Sequence, residues 1–240
     1  MTGGASSDTD QSLALQRSVD PGGAPFSAAD AGQAVYTARV LAAYDLFVLR
    51  FSNRFLWHCP WPRQLAHYDR HVTANHLDVG VGTGFYLDRC RFPVAWPRLG
   101  LLDPNPNSLA FAARRLSRYR PEILQADVLE PITFDAAPFE SISVNYLLHC
   151  LPGTMQEKGA VFANLKPLLA HGGTLFGTTL LHGGVRRSAA ARRLMALYNE
   201  KGIFGNAEDD LDGLREVLCR QLESVRVEVV GCAALFSGRA

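Results

Sequence analysis

Residues 77–84 read Leu77-Asp78-Val79-Gly80-Val81-Gly82-Thr83-Gly84. A short apolar run carrying one acid gives way to three glycines at alternate positions. The pattern predicts a buried strand, His76–Val81, that turns sharply into a helix. Glycines at such a turn remove Cβ atoms, so backbone and ligand can approach closely. In an open parallel sheet, ligands bind beyond the carboxyl ends of the strands.

Downstream, apolar strands alternate with helical segments. Arg98–Asp103, Ile123–Val128, Phe139–Leu148 and Gly173–Leu181 read as further strands. Asn107–Tyr119 reads as a helix, with Leu109, Ala113 and Leu116 on one face. Thr154–Leu165 is another, and Thr154 with Glu157 forms a capping box in which each side chain bonds the other's backbone amide. This alternation predicts an α/β fold with a parallel sheet covered on both faces. Near the C-terminus, Leu211, Leu214, Leu218 and Leu222 mark an amphipathic helix. Val225–Val229 alternates as a half-buried strand, Gly231 breaks it, and Cys232–Phe236 is a last apolar strand. Two strands so close together form an antiparallel hairpin, because a parallel return needs a long crossover.

The ends of the first three strands carry the chemistry. The dinucleotide fingerprint G-x-G-x-x-G fails, since Phe85 stands where its third glycine belongs. There is no G-x-x-x-x-G-K-[ST] phosphate loop either. Asp103 ends the second strand, where a carboxylate accepts both hydroxyls of a ribose. Asp127 ends the third, within reach of an adenine amino group. Each has a plainer reading: a tight turn at the glycines, a turn at Asp103-Pro104, a helix cap at Asp127. A nucleoside held without a phosphate cradle points to S-adenosylmethionine rather than NAD or ATP.

With these residues the sequence resembles the class I S-adenosylmethionine-dependent methyltransferases, from about Tyr36 to the end. The resemblance rests on Asp78–Gly84, Leu101-Leu102-Asp103, Ala126-Asp127, Phe139–Leu148 and Leu165-Lys166-Pro167 with Gly172-Gly173-Thr174-Leu175. It implies a seven-stranded, mostly parallel Rossmann-like sheet, its last strand antiparallel and inserted beside the fifth. It also implies that Asp78, Gly80, Gly82 and Gly84 hold the methionyl moiety and Asp103 the ribose. Asp127 with Val128 would take the adenine, and Asn145 would line the floor near the methionyl amine. Residues 1–30, rich in Gly, Ser, Ala and Asp, are expected to be a mobile tail. Residues 31–240 form one domain: a helical lid segment over 31–72 and the Rossmann-like core over 73–240. In the lid segment Tyr44, Phe47, Phe51 and Phe55 share a helical face, and two prolines at Cys59-Pro60-Trp61-Pro62 end it.

Composition narrows the partners. With 24 basic against 23 acidic residues the net charge is +1, without the basic excess usual for a nucleic-acid binder. No apolar run reaches the roughly 18 residues of a membrane helix, and the N-terminus lacks the pattern of a signal peptide. Five scattered cysteines, never in a C-x-x-C pair, argue against a disulfide framework or zinc site and for the cytoplasm.

The expected activity is methyl transfer to a small-molecule acceptor of the kind met in natural-product biosynthesis. The alternatives are an RNA or protein methyltransferase of the same fold, or a protein that binds the cofactor without methyl chemistry. His149 and Tyr44 are the candidate catalytic residues, His149 as base or acceptor contact and Tyr44, with Tyr36, from the lid. The fourth and fifth strands end in Asn145 and Thr178-Thr179 rather than carboxylates, so no catalytic metal is expected. Neither the acceptor nor the oligomeric state is legible at this level.

Overall fold

Strand β1, Asn75–Val79, lies at the middle of a seven-stranded sheet of order β3-β2-β1-β4-β5-β7-β6. The structure, a computed structural model, describes residues 56–133 and 135–240. The expected tail and the helical stripe with Tyr36, Tyr44, Phe47, Phe51 and Phe55 lie outside the described residues.

Strands β2 (Arg98–Leu102), β3 (Glu122–Leu124), β4 (Phe139–Asn145) and β5 (Leu169–Leu180) run parallel with β1. β6 (Glu223–Val230) and β7 (Ala233–Arg239) form the expected antiparallel hairpin. β7 inserts antiparallel beside β5, pairing Thr178 with Leu235. The central strands are buried almost throughout, as strands covered on both faces must be. The edge strand β6 instead alternates and shows Arg226 and Glu228 to solvent, charges that discourage pairing with another edge.

Successive strand residues feed opposite faces. Leu102 and Leu175 enter one core with helices α4 (Gly159–Leu165) and α6 (Leu211–Gln221). Leu101 and Phe176 enter another with α1 (Trp61–His71) and α3 (Pro106–Arg115). A third cluster joins α5 (Ala189–Glu200) to Leu180, Ala233 and Leu235. The short α2 (Phe85–Arg89) follows the glycine turn.

Four expectations shift. Pro60 and Pro62 stand at the start of a helix, because the first helical turn needs no amide hydrogens. That helix, α1, lies in the expected lid segment but packs on the sheet, with Tyr68 1% exposed. The third strand is shorter than Ile123–Val128, since the chain leaves the sheet after Leu124. The Thr154–Glu157 capping box forms, Glu157 Oε2 accepting from Thr154 N–H at 2.7 Å and Thr154 Oγ1 from Glu157 N–H at 3.3 Å. Regular helix nevertheless begins only at Gly159, after turns that carry Lys158 inward. Helix α5 had no counterpart in the sequence reading. Its Ala-, Arg-, Leu- and Met-rich run is a strong helix former, and Ser188 caps it through Ala191 N–H.

Candidate active site

Parallel strands bring their carboxyl ends to one edge, so the residues at these ends collect there. Gly80, Gly82 and Gly84 all have left-handed φ, at +69°, +50° and +69°. They do different work. A Cβ on Gly80 would meet Leu147 Cδ1 at 2.8 Å, and one on Gly84 would meet Ala112 of the neighbouring α3 and Leu116 just after it. Among the described residues, a Cβ on Gly82 would meet nothing within 4 Å. Two of the three therefore serve packing, and Gly82 borders open space.

Asp103 is buried immediately after β2. Its Oδ1 accepts from Asn105 N–H at 2.9 Å, and the backbone amides of Val81 and Gly82 also serve its carboxyl. Burial pushes this carboxyl up to about 6, against the pull of those amides. Asp103 thus locks the end of β2 to the glycine turn of β1. Asp78 is buried too, and its Oδ1 accepts from Ser143 Oγ and, at 3.2 Å, from Tyr68 Oη. Burial pushes Asp78 up to about 7, with a further contribution from the charge of Asp103. The two carboxyls therefore feel one another across the turn.

Asn145, the last residue of β4, pairs in register with Thr178 of β5. Asn145 Nδ2 and Thr178 Oγ1 are buried without a hydrogen-bond partner among the described residues. Buried polar groups are nearly always paired, so these two atoms stand out among the described residues.

Asp127 is not bonded into this cluster. It is exposed, and its Oδ1 accepts from Leu129 N–H at 2.9 Å, so it closes a turn where the plainer reading expected a helix cap. Val128 beside it is buried in the core, its carbonyl held by Asn164 Nδ2 at 3.0 Å.

His149 follows β4 in a single 3₁₀ turn and is 3% exposed. Its ring lies edge-on to Tyr146 and Phe204, at 5.3 and 4.7 Å between centroids. Among the described residues, two weak contacts reach Nδ1, from Thr179 Oγ1 and Leu180 N–H at 3.4 Å. Burial, with help from the charge of Lys158, drops its pKa to about 3. The imidazole is neutral and faces the interior. Tyr44 lies outside the described residues.

Sequence reasoning missed several groups here. Gln64 of α1 donates to Tyr146 Oη at 2.8 Å and accepts from Tyr86 Oη, joining the end of β4 to α2. Tyr146 itself has a left-handed φ of +53°, strain of the kind found at functional sites. A buried ion pair, Lys158 Nζ to Asp209 Oδ2 at 2.7 Å, anchors the loop that carries Phe204. All five cysteines are free thiols. Among the described residues no group of three His, Cys, Asp or Glu stands ready for a metal ion, and no helix is long and apolar enough to cross a membrane.

These features suit the sulfonium nucleoside that the sequence suggested. Gly82 leaves room, Asp78 and Asp103 supply carboxylates, and Asn145 supplies an unused amide. A family model described as a methyltransferase domain matches residues 77–175. The chain is 40% identical over 205 residues to demethylluteothin O-methyltransferase of Streptomyces thioluteus, covering 85% of this chain and 89% of that protein. It is 38% identical over 214 residues to methyltransferase aurB of Calcarisporium arbuscula, covering 84% and 93%. The solved structure of a DhpI–SAH complex shares its fold, with a TM-score of 0.63 at 17% identity over 88% of this chain and 96% of that one. By the identity and coverage of these relatives, the chain belongs to the class I S-adenosylmethionine-dependent methyltransferases and takes S-adenosylmethionine as its methyl donor.

Proposed function

We propose that this enzyme methylates a hydroxyl of a small, largely apolar acceptor, without a catalytic metal, in the cytoplasm. The observation that carries the cofactor half of this reading is the junction at Asp103, where one buried carboxyl ties the end of β2 to the open glycine turn. The O-methyltransferase name of the Streptomyces relative supports the acceptor half. So do the aromatic groups at the end of β4, where Tyr146 and Phe204 stand beside strand ends that carry amide and hydroxyl rather than carboxylate.

When bound, S-adenosylmethionine supplies a methyl group on a cationic sulfur that leaves as a neutral thioether. The protein's contribution is then alignment and exclusion of water, worth roughly 7–11 kcal/mol in well-oriented reactions. Asp103 accepts from the ribose hydroxyls, and Asp78 faces the methionyl ammonium. Asn145 offers its amide to the methionyl group, Gly82 lets the chain approach, and Asp127 with the backbone at Val128 receives the adenine. His149 supports this wall from below. A base that protonates only near pH 3 takes little of a hydroxyl proton in a transition state near neutral pH, so His149 positions Tyr146 rather than moving a proton.

The test is Asp103→Ala, with S-adenosylhomocysteine binding followed by calorimetry. Loss of two charge-assisted hydrogen bonds predicts affinity at least about a hundredfold weaker, with the fold retained. Wild-type affinity would remove the ribose assignment. The acceptor half is tested separately, by screening small phenols and enols for homocysteine-product formation.

A further inference from the structure

Behind Asp78 lies a chain of buried polar groups that neither packing nor the family motif requires. Tyr68 Oη, from α1, stands 2.8 Å from His76 Nε2 and 3.0 Å from Ser143 Oγ. His76 Nδ1 stands 2.8 Å from Ser141 Oγ, which also accepts from Thr73 N–H at 3.1 Å. The register explains the assembly: His76 pairs with Ser141 and Asp78 with Ser143, so all four side chains share one face of β1 and β4. One wiring satisfies every donor. Ser141 gives its proton to His76 Nδ1, His76 Nε2–H donates to Tyr68 Oη, and Tyr68 and Ser143 both donate to Asp78 Oδ1. Among the described residues no bond falls on Oδ2.

We propose that Tyr68 is a positioning residue for cofactor binding: with Ser143 it holds one oxygen of Asp78, and so presents the other to the methionyl ammonium. This rests on the reading of Asp78 as the amine contact. The groups facing the carboxyl are Tyr68 from α1, His76 from β1, Ser143 from β4, Asp103 after β2 and Cys90 after α2. Burial keeps Tyr68 and the Cys90 thiol protonated and His76 neutral throughout the working range. Asp78 and Asp103 are the members of this group that titrate near neutrality, and the hydroxyl of Tyr68 favours the ionised form of Asp78.

Tyr68→Phe keeps the ring, which packs against Phe176 and Tyr86, and removes only the hydroxyl. Calorimetry with S-adenosylhomocysteine at pH 6, 7 and 9 then compares variant with wild type at each pH, so titration of the ligand's own amine cancels. The expected affinity is roughly five- to tenfold weaker at pH 6–7 and within about twofold of wild type at pH 9, where Asp78 ionises without help. Ser143→Ala should follow the same pH trend, and it stands in if Tyr68→Phe fails to fold. A loss that is equal at every pH, or no loss, overturns the proposal. Asp78→Asn separates the two levels. If it binds as tightly as wild type, the amine assignment itself fails; if it binds weakly while Tyr68→Phe is normal, only the positioning role fails.

Discussion

Asp78→Asn should make the protein more stable while it weakens the cofactor site. The substitution keeps shape and leaves Oδ1 to accept from Ser143 and Tyr68. What it removes is a charge that burial opposes. The folded-state pKa of Asp78 is pushed up to about 7, against an ordinary value of about 3.9. Three decades at about 1.4 kcal/mol each make the ionised group cost the folded state about 4 kcal/mol. The sign follows from where each state holds its proton. Below about pH 3.9 both folded and unfolded chains are protonated at this position, and the cost vanishes. It grows as the pH rises and is complete above about 7. Urea denaturation of both proteins at pH 4 and pH 8 measures this directly. At pH 8 the variant should be more stable by about 4 kcal/mol, an upper bound that any loss of local hydrogen bonding reduces. At pH 4 the gain should fall below about 1 kcal/mol. A variant less stable than wild type at pH 8, or a gain equal at both pH values, refutes the argument that Asp78 is a buried charge kept for its ligand.

Two other perturbations test the frame around the site. Lys158→Met leaves Asp209 buried and unpaired, and should cost about 3–5 kcal/mol; the double variant Lys158→Met/Asp209→Leu should recover most of it, as read by thermal denaturation. Gly82→Ala places a methyl in open space at φ +50°, so stability should fall by only about 1–2 kcal/mol while S-adenosylhomocysteine affinity falls at least about tenfold. Gly84→Ala should do the reverse, because its Cβ crowds Leu116 and Ala112 and so disturbs packing more than the ligand.

Much of the frame is written locally. Apolar runs buried on both faces, glycines at strand ends and the leucine stripe from Leu211 to Leu222 need only neighbours in sequence to be recognised. The C-terminal hairpin follows from the short distance between Val229 and Ala233. Where local signals misled, a tertiary contact was in control. Edge strand β3 ends at Leu124 although the apolar pattern continues, because Val128 is drawn into the core below the sheet. Helix α4 starts late because Lys158 reaches Asp209, 51 residues away.

The sequence by itself determined which strands exist, that their carboxyl ends form one edge, and that Asp78, Gly82, Asp103 and Asn145 stand at or beside strand ends. It did so because strand period, burial and turn chemistry are short-range properties of the chain. Only the tertiary structure decided what those residues face. The register of β1 on β4 set His76 and Asp78 against Ser141 and Ser143, and the docking of α1 added Tyr68. The seating of Phe204 on His149 left that ring neutral and enclosed. Hydrogen bonding and desolvation depend on atoms distant in sequence, and these set the charge state of each group in the site.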